Sequence, residues 1–270
     1  MTLKELPIGE KIVDKKTKFN GKPIEWLVAD REKYPDGTVL LSKDILCCRP
    51  FDEPKEYYWN KYQKIYGSNR WMESDIRKWL NDDFFCKSFS DRLADLTICA
   101  LKSTAYPRLD RDSSMIYVGD STGEGVFLLS DAEIGYEEDC KALELFKGEN
   151  KEKYRIAEAC PGLVWYWWLR SPSAGYSNLA RIVDTDGSLN SSFAYSGNFG
   201  VRPACVIFNS APVKTRKSGG YRFDWERWQT SREKQKSIYS SICHSKEYKR
   251  HHSKKFRVVR AGLVNTEDLT

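Results

Sequence analysis

Histidine is almost missing from this sequence. The chain has three, His244, His251 and His252, and residues 1–210 contain none. Ser-His-Asp catalysis, Cys-His catalysis and His-ligated metals all need this side chain, so residues 1–210 exclude them unless the C-terminal region folds back. The GxGxxG, P-loop, HExxH and GxSxG motifs are absent as well. We therefore predict that the protein is not an enzyme, with no catalytic residue, no metal and no cofactor.

The sequence also lacks any CxxC pair among its eight cysteines. This absence argues against a zinc ribbon and against a dithiol redox site, and it favours reduced structural thiols. Cys243 and the three histidines are metal-ligating types, but their spacing matches no standard zinc pattern.

Long apolar runs are missing too: no stretch of about 18 apolar residues occurs. The N-terminal residues MTLKELPIGEKIVDKK are too charged for the centre of a signal peptide. We expect no membrane association and a protein that is cytoplasmic or carried on a phage particle.

Positive charge is concentrated at the C-terminus. Residues 211–270 carry fifteen Lys and Arg against six Asp and Glu, whereas residues 1–210 carry 29 against 32. We predict one domain over residues 1–210 and a basic linker and tail over residues 211–270. Aromatic residues are interspersed among the basic residues of 211–270: Tyr221, Trp225, Trp228, Tyr239 and Tyr248. Nucleic acid bound through residues 211–270 is therefore an alternative function, against a solvated extension that binds nothing.

The remaining pattern predicts short strands and helices. PIEWLVAD and GTVLLS flank a Pro-Asp-Gly turn and predict a hairpin. MESDIRKWLNDDFF and SFSDRLADL predict two short helices, with Ser74 or Asp75 and then Ser90 as caps. From Leu163 onward the sequence predicts strands again, with Asp186-Gly187 as a hairpin turn. Together these elements predict an α+β fold, and we expect the Trp cluster, Arg170 and Arg202 to be structural.

One segment has an unusual composition. Between Ser173 and Phe199, fourteen of 27 residues are Ser, Asn, Tyr or Gly, only three are charged, and none is Lys. Tyr offers rigid contact area, while Ser, Asn and Gly offer adaptable hydrogen bonds, as in antibody loops. This composition favours a binding surface, although the same residue types also form ordinary polar turns.

A set of ordered motifs resembles a bacterial family of domains of unknown function. The motifs are PIEW, LLSKDIL, SDIRKWLN, VFLLSDAEI, WWLRSP (Trp167–Pro172), DG and GVRPA (Gly200–Ala204), within residues 8–209. The closing segment also resembles variable proteins of diversity-generating retroelements, whose C-type-lectin fold is of the formylglycine-generating-enzyme type. This second resemblance implies a C-type-lectin-like scaffold that displays variable residues.

The resemblance further implies which residues contact a ligand. They are Tyr176, Ser177, Asn178, Asn190, Ser191, Ser192, Phe193, Tyr195, Ser196, Asn198 and Phe199. The main hypothesis is thus a domain that binds a protein or a glycan; the lectin calcium motifs EPN and WND are absent, so no calcium-dependent sugar binding is expected. A third hypothesis is an oxidase related to formylglycine-generating enzymes, which would need a cysteine pair such as Cys47-Cys48.

Overall fold

Two β-sheets form the main architecture. The computed structural model describes residues 1–109, 115–136, 141–149 and 151–228. The first strands are β1 (Lys11–Phe19), β2 (Lys22–Tyr34), β3 (Gly37–Ser42), β4 (Cys47–Cys48), β5 (Thr97–Ile98), β6 (Ala100–Leu109), β7 (Met115–Glu124) and β8 (Val126–Phe127). The later strands are β9 (Glu158–Cys160), β10 (Leu163–Val164), β11 (Trp167–Pro172), β12 (Leu179–Val183), β13 (Leu189–Phe193), β14 (Gly200–Val201), β15 (Ala204–Phe208), β16 (Val213–Thr215) and β17 (Tyr221–Phe223).

The helices are short. They are α1 (Lys61–Tyr66), α2 (Asp75–Trp79), α3 (Phe85–Ser88), α4 (Asp91–Ala94) and α5 (Lys151–Arg155). A π turn over Leu80–Phe84 joins α2 to α3, and 3-10 turns among the described residues cover Leu3–Glu5, Trp71–Glu73 and Glu144–Phe146. The side chain of Ser74 caps α2 and that of Ser90 caps α4, which confirms both predicted helix starts. None of the helices in the described ranges is long and apolar enough to span a membrane.

The larger sheet has eight strands in the order β16-β17-β1-β2-β3-β15-β5, with β8 also paired to β15. The smaller sheet has the order β13-β12-β11-β14-β4. Two-stranded ladders join β6 to β7 and β9 to β10. Residues 213–223, which the sequence analysis placed in the linker and tail, contribute two strands, and β17 runs parallel to β1.

The core fills the space around both sheets. Trp26, Trp71, Trp167 and Trp168 are almost fully buried, as is Phe127. Burial of side chains this large removes much apolar area from water, and each Å² of buried apolar area stabilises the folded state by about 25 cal/mol. The expectation that the Trp cluster belongs to the core is therefore confirmed for Trp167 and Trp168.

The predicted α+β class, which accompanied the C-type-lectin-like scaffold, is wrong. Strands hold far more of the described residues than helices do, so the fold is mostly β. The error came from strands whose sequence pattern is weak. β1 carries four lysines, and β7 lies in a Gly- and Asp-rich passage, residues 108–125, whose sequence is typical of a polar loop. Their pairing with distant or adjacent strands, rather than their own hydrophobic pattern, makes them extended.

Candidate functional site

The segment with the unusual composition forms a hairpin at the edge of the smaller sheet. β12 and β13 pair in antiparallel register from Leu179 opposite Phe193 to Val183 opposite Leu189. Gly187 adopts φ +85° in the connecting turn, a value that favours glycine. The predicted Asp186-Gly187 hairpin is confirmed. Because β13 is an edge strand, one side of it has no neighbouring strand in its sheet.

Five of the eleven predicted contact residues are exposed. Tyr176 is 57% exposed, and Phe193 and Tyr195 are each 42% exposed. Asn190 and Asn198 are exposed as well. Large aromatic side chains at the surface are uncommon in a protein that has a core to bury them. These residues are therefore available to contact a ligand.

The other predicted residues are less accessible. Ser177, Ser191, Ser192 and Ser196 are half-buried. Asn178 is buried, and its carbonyl accepts a hydrogen bond from the Ala194 amide at 2.9 Å.

Phe199 is half-buried and contributes to the core. Its ring lies 4.8 Å from that of Trp168 and 5.8 Å from that of Tyr166. Both Asn178 and Phe199 thus have contacts within the fold, so their positions are explained without a ligand.

A second segment, which sequence reasoning missed, extends this surface. The Tyr66 ring stacks on Phe193 with centroids 4.6 Å apart, and it lies 5.7 Å from the Tyr195 ring. The Tyr195 amide also donates to the Tyr66 carbonyl at 2.9 Å. Tyr66 ends α1, a helix with no buried residue, on which Tyr62 and Ile65 are more than half exposed. The signal in the sequence was YYWNKYQKIY (57–66), with five aromatics in ten residues.

Hydrogen bonds join the loop of Tyr176 to the same segment. The Asn69 side chain donates to the carbonyls of Tyr176 and Leu179, and the Gln63 side chain donates to the Ser177 carbonyl at 3.2 Å. We call the resulting surface the aromatic face. It consists of Tyr62, Tyr66, Tyr176, Phe193 and Tyr195.

A buried carboxylate holds the ends of residues 53–67 together. Asp52 accepts hydrogen bonds from the Tyr58 hydroxyl at 2.6 Å and from the Ser68 amide at 2.8 Å, and it forms an ion pair with Lys55. Burial, and then the bond to Asp52, raises the pKa of the Tyr58 hydroxyl, which stays protonated as a donor. This anchor fixes the segment that presents Tyr62 and Tyr66, so the aromatic face is organised before any ligand binds.

The adjacent thiols of Cys47 and Cys48 show no sign of activation. Burial raises the pKa of the Cys47 thiol to about 11 and also raises that of Cys48. Both thiols are therefore protonated at neutral pH, and a protonated thiol is a poor nucleophile. In the described part of the chain, no group of three or more His, Cys, Asp and Glu residues could hold a metal ion.

Arg170 and Arg202 have structural partners, as predicted. Arg170 forms an ion pair with buried Glu133 and donates to the Leu128 carbonyl at 2.8 Å. Arg202 is 1% exposed and donates to the carbonyls of Ser42, Lys43 and Tyr154. These bonds hold both guanidinium groups inside the protein, although Nε of Arg170 has no hydrogen-bond partner there. The predicted tail function, in contrast, rests mainly on residues 229–270, which lie outside the described residues.

Comparison with known proteins gives one match. A family model described as a domain of unknown function, DUF6273, matches residues 36–208. That range contains every residue of the aromatic face. No curated protein and no solved structure matches the chain.

Proposed function

Because the chain belongs to the DUF6273 family of domains of unknown function, we propose its function from its own surface: a ligand-binding domain without enzymatic activity. Its aromatic face binds a protein or a glycan. The observation that carries the proposal is the contact of Tyr66, from one segment, with Phe193 and Tyr195, from another, at the protein surface. Two segments more than 120 residues apart contribute aromatic rings to a single surface.

The chemistry of this surface suits recognition. Tyr and Phe bury large contact areas while fixing few rotatable bonds. Polar groups surround them: Asn190 is exposed, and Arg181 donates to the Ser191 hydroxyl at 3.2 Å. A centre of aromatic rings with a polar rim is the arrangement that protein interfaces use.

The experiment is a binding screen with two defined probes, a glycan array and a random peptide library displayed on phage. Ligands that bind the full-length protein are then measured by calorimetry against Phe193→Ala and Tyr195→Ala. We expect each substitution to weaken binding about tenfold or more, which corresponds to about 1.4 kcal/mol for a central contact residue.

Leu163→Ala is the matched control, because Leu163 is 46% exposed but belongs to β10, outside the aromatic face. Equal affinities for all three variants and the unmodified protein would refute the proposal. Enrichment of glycans rather than peptides, or the reverse, identifies the ligand class.

We also propose that the hairpin is the diversified part of a retroelement variable protein. In support, the most exposed positions are of the residue types that such diversification produces, while the flanking Trp168, Gly200 and Arg202 are buried. The test is to sequence the neighbouring DNA for a reverse transcriptase gene and a near-copy of the segment for residues 165–205. Substitutions between copies are expected at Tyr176, Asn190, Phe193, Tyr195 and Asn198, and not at Phe199. If neither gene nor copy is found, the retroelement origin is refuted, while the binding proposal is unaffected.

A further inference from the structure

A basic groove lies on the larger sheet, away from the hairpin of the smaller sheet. It has a volume of about 470 Å³ and is lined by Val13, Lys15, Lys18, Pro23, Glu25 and Arg216. Three cations thus face one carboxylate, and Arg216 already contacts that carboxylate, with its Nη1 3.3 Å from Oε1 of Glu25. The lining carries a net positive charge.

The pairing of strands explains why these cations share one face of the sheet. Val13 lies opposite Glu25 on β2 and opposite Arg222 on β17. Lys18 lies opposite Pro23. Side chains at directly paired positions project from the same face, so this outer face collects Lys18 and Arg222 beside the groove, while Ile12 and Trp26 on the opposite face are buried.

A bulge in β1 brings Lys15 to the groove. The register of β1 against β2 shifts between Val13 and Lys18. Buried Asp14 fixes the bulge by accepting hydrogen bonds from the Lys16 amide at 3.2 Å, the Thr17 hydroxyl at 2.8 Å and the Trp225 indole at 3.1 Å. The hydrogen bonds of the Asp14 carboxylate thus come from neutral donors inside the protein rather than from the ammonium groups of the exposed lysines.

We propose that this groove binds the phosphate backbone of a nucleic acid. The lysines are exposed, and among the described residues neither Lys15 nor Lys18 forms a salt bridge. The cations line an open groove and extend to Arg222 rather than enclosing a single point, which fits a chain of phosphates better than one small anion. The sequence after Trp228 carries a further ten Lys and Arg against four Asp and Glu, which adds to the attraction of the full-length protein for a polyanion.

The test uses the full-length protein and fluorescein-labelled 20-nucleotide DNA, single-stranded and duplex, with binding followed by fluorescence anisotropy. We expect Lys15→Glu with Lys18→Glu to weaken binding at least about tenfold. For the duplex, the slope of the logarithm of the association constant against the logarithm of the salt concentration should become less steep by about 2. Each phosphate that the protein neutralises contributes about 0.9 to this slope, and the variant loses two lysines.

The matched control is Lys147→Glu with Lys153→Glu, which changes the net charge equally at exposed positions elsewhere. A second comparison is Phe193→Ala with Tyr195→Ala, which should bind DNA as the unmodified protein does. If the groove variant binds as tightly as the control, residues outside the groove hold the nucleic acid and the proposal is wrong. It is equally wrong if an acidic polypeptide, poly-glutamate, binds more tightly than DNA at the same salt concentration.

Discussion

Glu133 illustrates what a single buried residue does in this protein. Its carboxylate contacts Lys102 at 3.1 Å and Lys33 at 3.5 Å, and it forms the ion pair with Arg170. Burial alone would raise the pKa of Glu133, but Arg170 and Lys102 hold it well below its usual range. One carboxylate therefore balances the charge of several buried or half-buried cations.

Glu133→Gln should destabilise the protein strongly. Among these contacts, Glu133 carries the only negative charge that compensates buried Arg170 and Lys102. Removing one partner of a buried ion pair costs about 3–5 kcal/mol of stability. Urea unfolding measures the loss, with the exposed Glu149→Gln as the control. A loss below about 1 kcal/mol, typical of a surface pair, would show that the cluster is solvated.

Lys102 gives the stability a particular dependence on pH. Burial lowers its pKa to about 7, although Glu133 opposes the shift, and its Nζ lies 2.7 Å from the Tyr34 hydroxyl. The unfolded chain holds this proton up to about pH 10.4. Between these values the unfolded state binds more protons, so stability rises with pH.

We expect the free energy of unfolding to increase from pH 7 to about pH 9. Above that pH the unfolded thiols lose protons that buried Cys205 and Cys47 retain, which opposes any further increase. In Lys102→Met the increase should disappear, as measured by urea unfolding at half-unit pH steps. If the variant keeps the full increase, another group is responsible.

At the scale of elements, residues 53–67 depend on one glycine. Gly67 adopts φ +74°, and a Cβ there would lie 2.1 Å from the Asp52 carbonyl oxygen. Gly21 also has a positive φ, +77°, but a Cβ there would meet no atom within 4 Å. A side chain at Gly21 would cause backbone strain alone, whereas a side chain at Gly67 would cause backbone strain and steric overlap.

Gly67→Ala should cost more stability than Gly21→Ala. The second substitution costs about 1 kcal/mol for the left-handed backbone, and the first adds the overlap with Asp52. Because residues 53–67 must move, trypsin should also cleave after Lys55, Lys61 or Lys64 faster in Gly67→Ala only. Equal melting temperatures and equal cleavage rates would mean that Asp52 does not fix the segment.

The elements also show what the sequence could predict. The caps at Ser74 and Ser90 and the turn at Gly187 were predictable, because each depends on bonds within a few residues. The exposed Tyr195 was predictable from composition. Its contact with Tyr66 was not, since no local pattern indicates which distant segment lies beside β13. Likewise β1 is a strand because β2 and β17 flank it, despite its lysines.

For the whole molecule, the strands after Ser210 pack against the N-terminal part of the chain. β17 pairs with β1, the Leu3 amide donates to the Ala211 carbonyl at 2.8 Å, and Val213 and Phe223 are buried. A chain ending at Ser210 would lose these contacts and expose the edge of β1. We expect it to melt at least about 5 °C lower than a chain ending at Trp228, for a loss of about 2 kcal/mol or more. Equal melting temperatures would support the domain boundary at Ser210.

The position of β15 has a consequence for biosynthesis. This strand, Ala204–Phe208, pairs with β3 on one side and with β5 and β8 on the other, in the middle of the larger sheet. A ribosome makes the chain from its N-terminus, so the sheet lacks its middle strand until residue 208 has left the exit tunnel. Until then β3 has an open edge that other nascent chains could join. The larger sheet therefore gains this middle strand only after β1, β2, β3, β5 and β8 have been translated, and a chaperone that covered the edge of β3 would prevent wrong pairing until then.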